Sequence, residues 1–276
     1  MQSVSRLLIG LIILLFAAGH GNARALRIVS ANGTLSEILV GLGLEKQIVG
    51  VDVTSTYPAS LEKLPKIGHN RTIAAEGILA LNPDVIIYTN QSMLSPAVVK
   101  QLSGSGKKLV EFKHDYSKEG AIRLIREVGT YFNANAQAEK MVKALQADLA
   151  KIPAPANPKK LLFIYARGTG TLMVSGTGTS LDKMFALAGH KNAVGGFTDF
   201  KPLTAESLIA ANPDVLVLFS SGLESLEGMD GLLKVPGVAN TSAGKNRRIV
   251  TMDGQFLTGF GPRLGKAAAE LSQKVK

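Results

Sequence analysis

No cysteine occurs anywhere in the 276 residues. That excludes disulfides, thiolate metal sites and a lipid-modified cysteine anchor. Tryptophan is also absent and aromatics make up only 5% of the chain, so an aliphatic core has to carry stability. Histidine is scarce. Beyond the first 25 residues only His69, His114 and His190 remain, too few for a zinc or manganese cage built from several imidazoles. His190 follows a helical stretch, where a surface position would suit the helix dipole, and His114 lies in the polar turn Lys113-His114-Asp115. Catalytic signatures are missing too: there is no G-x-S-x-G elbow, no H-E-x-x-H pair and no P-loop lysine motif. The reading is therefore of a protein that is not an enzyme. Bases exceed acids, 31 to 21, but no basic run of five occurs, and this scatter argues against nucleic acid and leaves an acidic small ligand or simple solubility.

The amino terminus has the grammar of an export leader. Arg6 supplies the positive charge, Leu7 to Ala18 an apolar run, and Ala23-Arg24-Ala25 an A-x-A cleavage site. The run is too short to cross a bilayer comfortably. Residues 1–25 are thus expected to be a signal peptide, cleaved after Ala25, that delivers a freely diffusing protein to the periplasm.

One segment occurs twice. Ala75-Glu76-Gly77-Ile78-Leu79-Ala80-Leu81-Asn82-Pro83-Asp84-Val85 returns as Ala205-Glu206-Ser207-Leu208-Ile209-Ala210-Ala211-Asn212-Pro213-Asp214-Val215. Each copy spells a short helix, an Asn-Pro-Asp turn and a buried strand. Around each copy, strands such as Arg27–Ser30, Gln47–Asp52, Lys108–Phe112, Lys160–Tyr165 and Arg248–Met252 alternate with helical stretches, among them Thr34–Leu42, capped by a Ser or Thr before Glu37. Ala166–Gly178 reads as a glycine- and threonine-rich loop. Between the two regions, residues 117–152 keep helical spacing almost throughout. The expected fold is α/β: two Rossmann-like lobes joined by a single long helix, with a ligand cleft between them. The expected divisions are an N-terminal lobe at 26–116, a linking helix at 117–155 and a C-terminal lobe at 156–276. A helical link resists bending and should restrict closure to small motion.

In such lobes the loops at strand ends line the crevice. Five candidates fall there. His69 and Arg71, two residues apart in an extended segment, point to one side and offer a metal ligand beside a carboxylate clamp. Tyr57 is a second candidate iron ligand, since a phenolate ligates ferric iron. Tyr165 and Arg167 end a strand of the second lobe, and Arg167 facing Arg71 would suit a ligand with two carboxylates.

Several stretches then carry a family likeness: Val51–Pro58, Leu64–Arg71, Ala75-Glu76-Gly77, Lys201–Glu206 and Gly259-Phe260-Gly261-Pro262-Arg263. Over residues 27–276 the chain resembles the periplasmic haem-binding proteins that feed bacterial haem ABC importers. These belong to a helix-spined class shared with cobalamin and ferric-siderophore binding proteins. The resemblance implies haem as transported ligand, with cobalamin or a ferric siderophore as the alternative. It also implies a dimeric inner-membrane ABC permease with its ATPase as partner, and a monomeric carrier. Relatives commonly carry Gly-Tyr-x-Arg where this chain has Gly68-His69-Asn70-Arg71. The resemblance therefore implies His69 as the iron ligand, with Tyr57 the alternative. Without phenolate charge, iron on an imidazole should be easier to reduce. Glu76 and Glu206, one per lobe, resemble the paired acids that dock onto basic pockets of the permease.

Overall fold

The computed structural model describes residues 24–68, 73–91, 94–152, 154–170 and 172–276. The N-terminal lobe runs β1 (Ile28–Ser30), α1 (Gly33–Gly41), β2 (Ile48–Val51), α2 (Ala75–Ala80), β3 (Val85–Thr89), α3 (Pro96–Gly104) and β4 (Lys108–Phe112). Its sheet has the order β2-β1-β3-β4, parallel throughout. Two helices follow, α4 (Lys118–Tyr131) and α5 (Asn135–Leu149). The C-terminal lobe then runs β5 (Lys160–Ala166), β6 (Leu172–Ser175), α6 (Ser180–Leu187), β7 (Lys191–Asn192), β8 (Phe200–Pro202), α7 (Ala205–Ala211), β9 (Val215–Phe219), α8 (Ser220–Ser225), α9 (Gly228–Lys234), α10 (Ser242–Lys245), β10 (Ile249–Met252), α11 (Gly254–Thr258) and α12 (Leu264–Lys274). Here β5 pairs in parallel with β7 and β9, and β9 with β10. The order β7-β5-β9-β10 thus repeats β2-β1-β3-β4, with β6 and β8 added antiparallel beyond β5.

The repeated Asn-Pro-Asp turn explains how each lobe starts. Asn82 and Asn212 both take left-handed backbone (φ 44° and 39°), which asparagine tolerates better than most residues. The aspartate two positions on then pins the first strand of its lobe. Asp84 accepts from the Arg27 backbone N–H at 2.9 Å, and Asp214 from that of Lys160 at 2.8 Å.

Strand side chains alternate between two layers, as the period of two requires. Ile28, Val85, Ile87, Leu161, Phe163, Val215 and Val217 face one continuous core, which also contains residues of α1, α4, α5, α6 and α12. Their neighbours face outward into two separate layers, Val29 and Ile86 in one and Leu162, Ile164, Leu216 and Leu218 in the other. Both lobes therefore share their central core.

The connection over 117–155, expected as one long helix, is two. Asn133, at φ 54°, stands in the break between α4 and α5. The helices then pack on each other, and a Cβ on Gly129 would lie 2.4 Å from that of Ala138. Only glycine lets them approach so closely. The fifteen residues of α5, about 22 Å long, pack between α4 and α12. Two other expectations change. Asn32 caps α1, accepting from the N–H of Thr34 and Leu35, where a Ser or Thr cap was expected. The glycine-rich stretch 166–178 contains β6, whose short apolar run Leu172-Met173-Val174 pairs back onto β5. Among the described residues no helix is long and apolar enough to cross a membrane.

Candidate functional site

The loops that follow the carboxyl ends of the parallel strands meet where the two lobes join. After β2 the chain turns through Asp52–Tyr57, and a buried polar cluster fixes that turn. Asp52 is 2% exposed and accepts from Ser55 Oγ at 2.7 Å and Thr54 Oγ1 at 2.5 Å. Ser55 also shares a 2.7 Å hydrogen bond with Ser36 of α1, and Ser36 donates to Ser30 Oγ at 2.9 Å. Thr54 Oγ1 accepts from the Gly33 N–H at 3.1 Å. The turn is thereby fastened to the start of α1, and Tyr57 stands at its outer end, 47% exposed.

The facing segment follows β10. Asp253 caps α11 through the Phe256 N–H at 2.8 Å. Thr34 Oγ1 donates to the Gly259 carbonyl at 2.6 Å and accepts from Gln255 Nε2 at 3.1 Å. A Cβ on Gly33 would meet the Thr54 carbonyl at 2.6 Å, so the turn after β2 approaches the start of α1 this closely only because residue 33 is glycine; the Gln255 side chain of the other lobe would lie at 2.8 Å. Beside it, Arg263 spans the junction to Glu37 of α1, Nε to Oε1 at 3.0 Å and Nη2 to Oε2 at 2.9 Å. The same guanidinium carbon lies 3.8 Å from the ring centre of Tyr57 and 4.8 Å from that of Phe256. Burial raises the Glu37 carboxyl above its ordinary range, and the hydrogen bond and charge of Arg263 oppose that rise.

A second contact between the lobes involves a histidine. His114, 2% exposed, places Nε2 3.3 Å from the Phe260 carbonyl, and Tyr116 packs edge-on against both His114 and Phe260. Burial lowers the His114 pKa, partly offset by that carbonyl and by the charge of Asp115. Burial also raises the Tyr116 phenol, with the Asp199 carboxylate adding to the shift. His190, expected at the surface, is buried at 7% exposure and accepts from the Lys159 N–H at 3.2 Å. Burial and the Lys159 charge lower its pKa.

Tyr165 is half-buried at the end of β5, edge-on to Phe219 at 6.3 Å. The exposed Arg167 lies 5.7 Å from the Tyr165 ring centre. Helix α11 lies between the two clusters: a Cβ on Gly254 would be 3.6 Å from the Phe219 ring, while Phe256 packs on Arg263. The structure thus brings Tyr57 to Arg263, and Tyr165 to Arg167. His69 and Arg71 lie outside the described residues. Glu76 and Glu206 occupy equivalent first-turn positions of α2 and α7, both exposed. Thr204, not Glu206, caps α7. Among the described residues no group of three or more His, Asp or Glu is placed to hold a metal ion. An open hollow of about 450 Å³ lies elsewhere, at the amino ends of β1 and β2, lined by Leu26, Arg27, Lys46, Val49, Leu81 and Asn82 and, from the expected leader, by Arg24 and Ala25.

Sequence reasoning gave Arg263 no role in the cleft. Its partner Glu37 is 226 positions away, and nothing local in Gly259–Arg263 announces an ion pair. Phe256 and Phe219 carried no signal beyond their hydrophobicity.

Comparison with known proteins places this geometry. The sequence profile of the family described as "Periplasmic binding protein" matches residues 28–256. The periplasmic heme-binding protein RhuT from Roseiflexus sp. RS-1, in its apo form, superposes with a TM-score of 0.87 at 39% identity, covering 91% of this chain and 98% of that one. The periplasmic heme-binding protein HutB of Vibrio cholerae gives 0.80 at 33% identity, covering 90% and 98%. The vitamin B12-binding protein of Photorhabdus laumondii is 22% identical over 97% of this chain and 95% of its own.

Proposed function

The chain belongs to the periplasmic binding protein family, and from that membership we propose that it captures haem between its lobes and delivers it to an inner-membrane ABC permease. The observation that carries this reading is the likeness to haem-binding proteins at 33–39% identity over nine-tenths of the chain. The site chemistry agrees with it. Aromatic rings and arginines gather where the lobes meet, suiting a flat ligand that bears carboxylates. His69 holds the iron, and Arg71 and Arg167 take the propionates. The leader is removed after Ala25, leaving a periplasmic monomer. Glu76 and Glu206 contact a dimeric permease coupled to its ATPase. The protein performs no covalent step.

Titration of the mature protein with haemin tests the reading. A saturable, shifted Soret band is expected, and His69→Ala should change the ligand-field bands more than Tyr57→Phe does. The reverse ordering would make Tyr57 the ligand. The 22% identity to a vitamin B12-binding protein favours cobalamin as second reading. Saturable binding of cyanocobalamin with no response to haemin would establish it in place of haem.

A further inference from the structure

Tyr57 is an unusual surface residue. It is 47% exposed, yet it is held from behind by an assembly reaching across both lobes. The Arg263 guanidinium lies 3.8 Å from its ring centre. That guanidinium cannot swing away readily, because Phe256 packs on it at 4.8 Å and the Glu37 carboxylate meets two of its nitrogens. The loop carrying the tyrosine is fixed in turn by the Asp52, Ser55, Ser36 and Ser30 cluster. A guanidinium over an aromatic ring occupies one face only, and Tyr57 has only two faces. The ring is therefore immobilised by one side and open on the other, at the line where the lobes meet.

We propose that the free face of Tyr57 is a stacking platform that selects flat macrocycles, and that Arg263 is the residue that positions it. This rests on the haem-carrier reading and adds a basis for specificity. A porphyrin presents an extended flat π face, and stacking on a ring already held in place loses little side-chain entropy. A corrin, carrying axial groups above and below its metal, presents no unobstructed face to the ring. The contribution is independent of iron, because it uses the ring face and leaves the hydroxyl without a role.

Iron-free protoporphyrin IX separates the platform from a metal ligand. The mature protein and its Tyr57→Phe, Tyr57→Leu and Tyr57→Ala variants are titrated with protoporphyrin IX and with haemin. Porphyrin fluorescence and the Soret band report binding, and circular dichroism confirms folding. Tyr57→Phe should bind both within about twofold of wild type, while Leu and Ala weaken both by about tenfold, in the range found for stacking on an aromatic side chain. Arg263→Met should weaken both similarly, and Phe at position 57 should not restore that loss. Leu binding as well as Phe, or Phe failing as badly as Ala, would overturn the platform while leaving the carrier reading intact. Wild-type protein that takes up neither porphyrin removes the carrier reading, and the platform with it.

Discussion

At the scale of single residues, the buried titratable groups pull stability in opposite directions with pH. His114 and His190 both have lowered pKa values because burial disfavours the imidazolium. Their contribution is present above the ordinary histidine value, about 6.5, and is lost as pH falls through their folded values. Glu37 has a raised pKa, so its contribution is present at acid pH and lost as pH rises through its folded value. Between pH 7.5 and 5.5 the two histidines should lower Tm. His114→Gln with His190→Gln should flatten that slope in thermal melts, and an unchanged slope would contradict the assignment. Arg263 tests the other side of the balance. Removing it leaves a carboxyl 7% exposed without its counter-ion. Arg263→Met should therefore cost about 3 kcal/mol, read as a lower urea midpoint at unchanged m. Glu37→Gln should cost less, since a neutral amide oxygen still accepts from the guanidinium and relieves the burial of charge.

At the scale of elements, the junction of α4 and α5 is the most sensitive packing point. The Gly129 Cα faces Ala138 so closely that even a methyl group forces the helices apart. Gly129→Ala should destabilise by about 1–3 kcal/mol despite its gain in helix propensity, and denaturant unfolding measures the sign directly. This junction also marks where sequence legibility ended. The repeat around Asn82 and Asn212 was readable because its signals are local: turn residues, helix spacing and apolar runs lie within one short stretch. The break at Asn133 was not, because α4 and α5 keep one helical period across it. Strand β6 was hidden among glycines and threonines, and its identity as a strand comes from pairing with β5. The site divided along the same line. Tyr165 and Arg167, at the end of β5, and Tyr57, in the loop after β2, are candidates that the strand pattern offers, whereas Arg263 becomes legible only when the fold brings it to Glu37.

At the scale of the whole molecule, two features oppose rotation of the lobes. One core runs from the strands of the first lobe through α4, α5 and α12 into the second, and rotation of the lobes would expose part of it to water. At the junction, the Thr34–Gly259, Gln255–Thr34 and Arg263–Glu37 contacts would break together. Loading should therefore leave the radius of gyration in solution scattering unchanged, and a large contraction on adding haemin would show that the lobes hinge. Lobes that do not hinge would also hold Glu76 and Glu206, exposed at matching points on the two lobes, at a fixed separation. Two charges at a fixed spacing orient a partner more than they tighten it, because surface charges act chiefly on encounter and register. On the proposed docking, reversing one, as in Glu206→Lys, leaves a single contact and should reduce uptake. Reversing both, Glu76→Lys with Glu206→Lys, should abolish haem-dependent growth and stimulation of the importer's ATPase, with the haemin titration curve unchanged. Uptake that persists in the double variant would place the permease contact elsewhere on the surface.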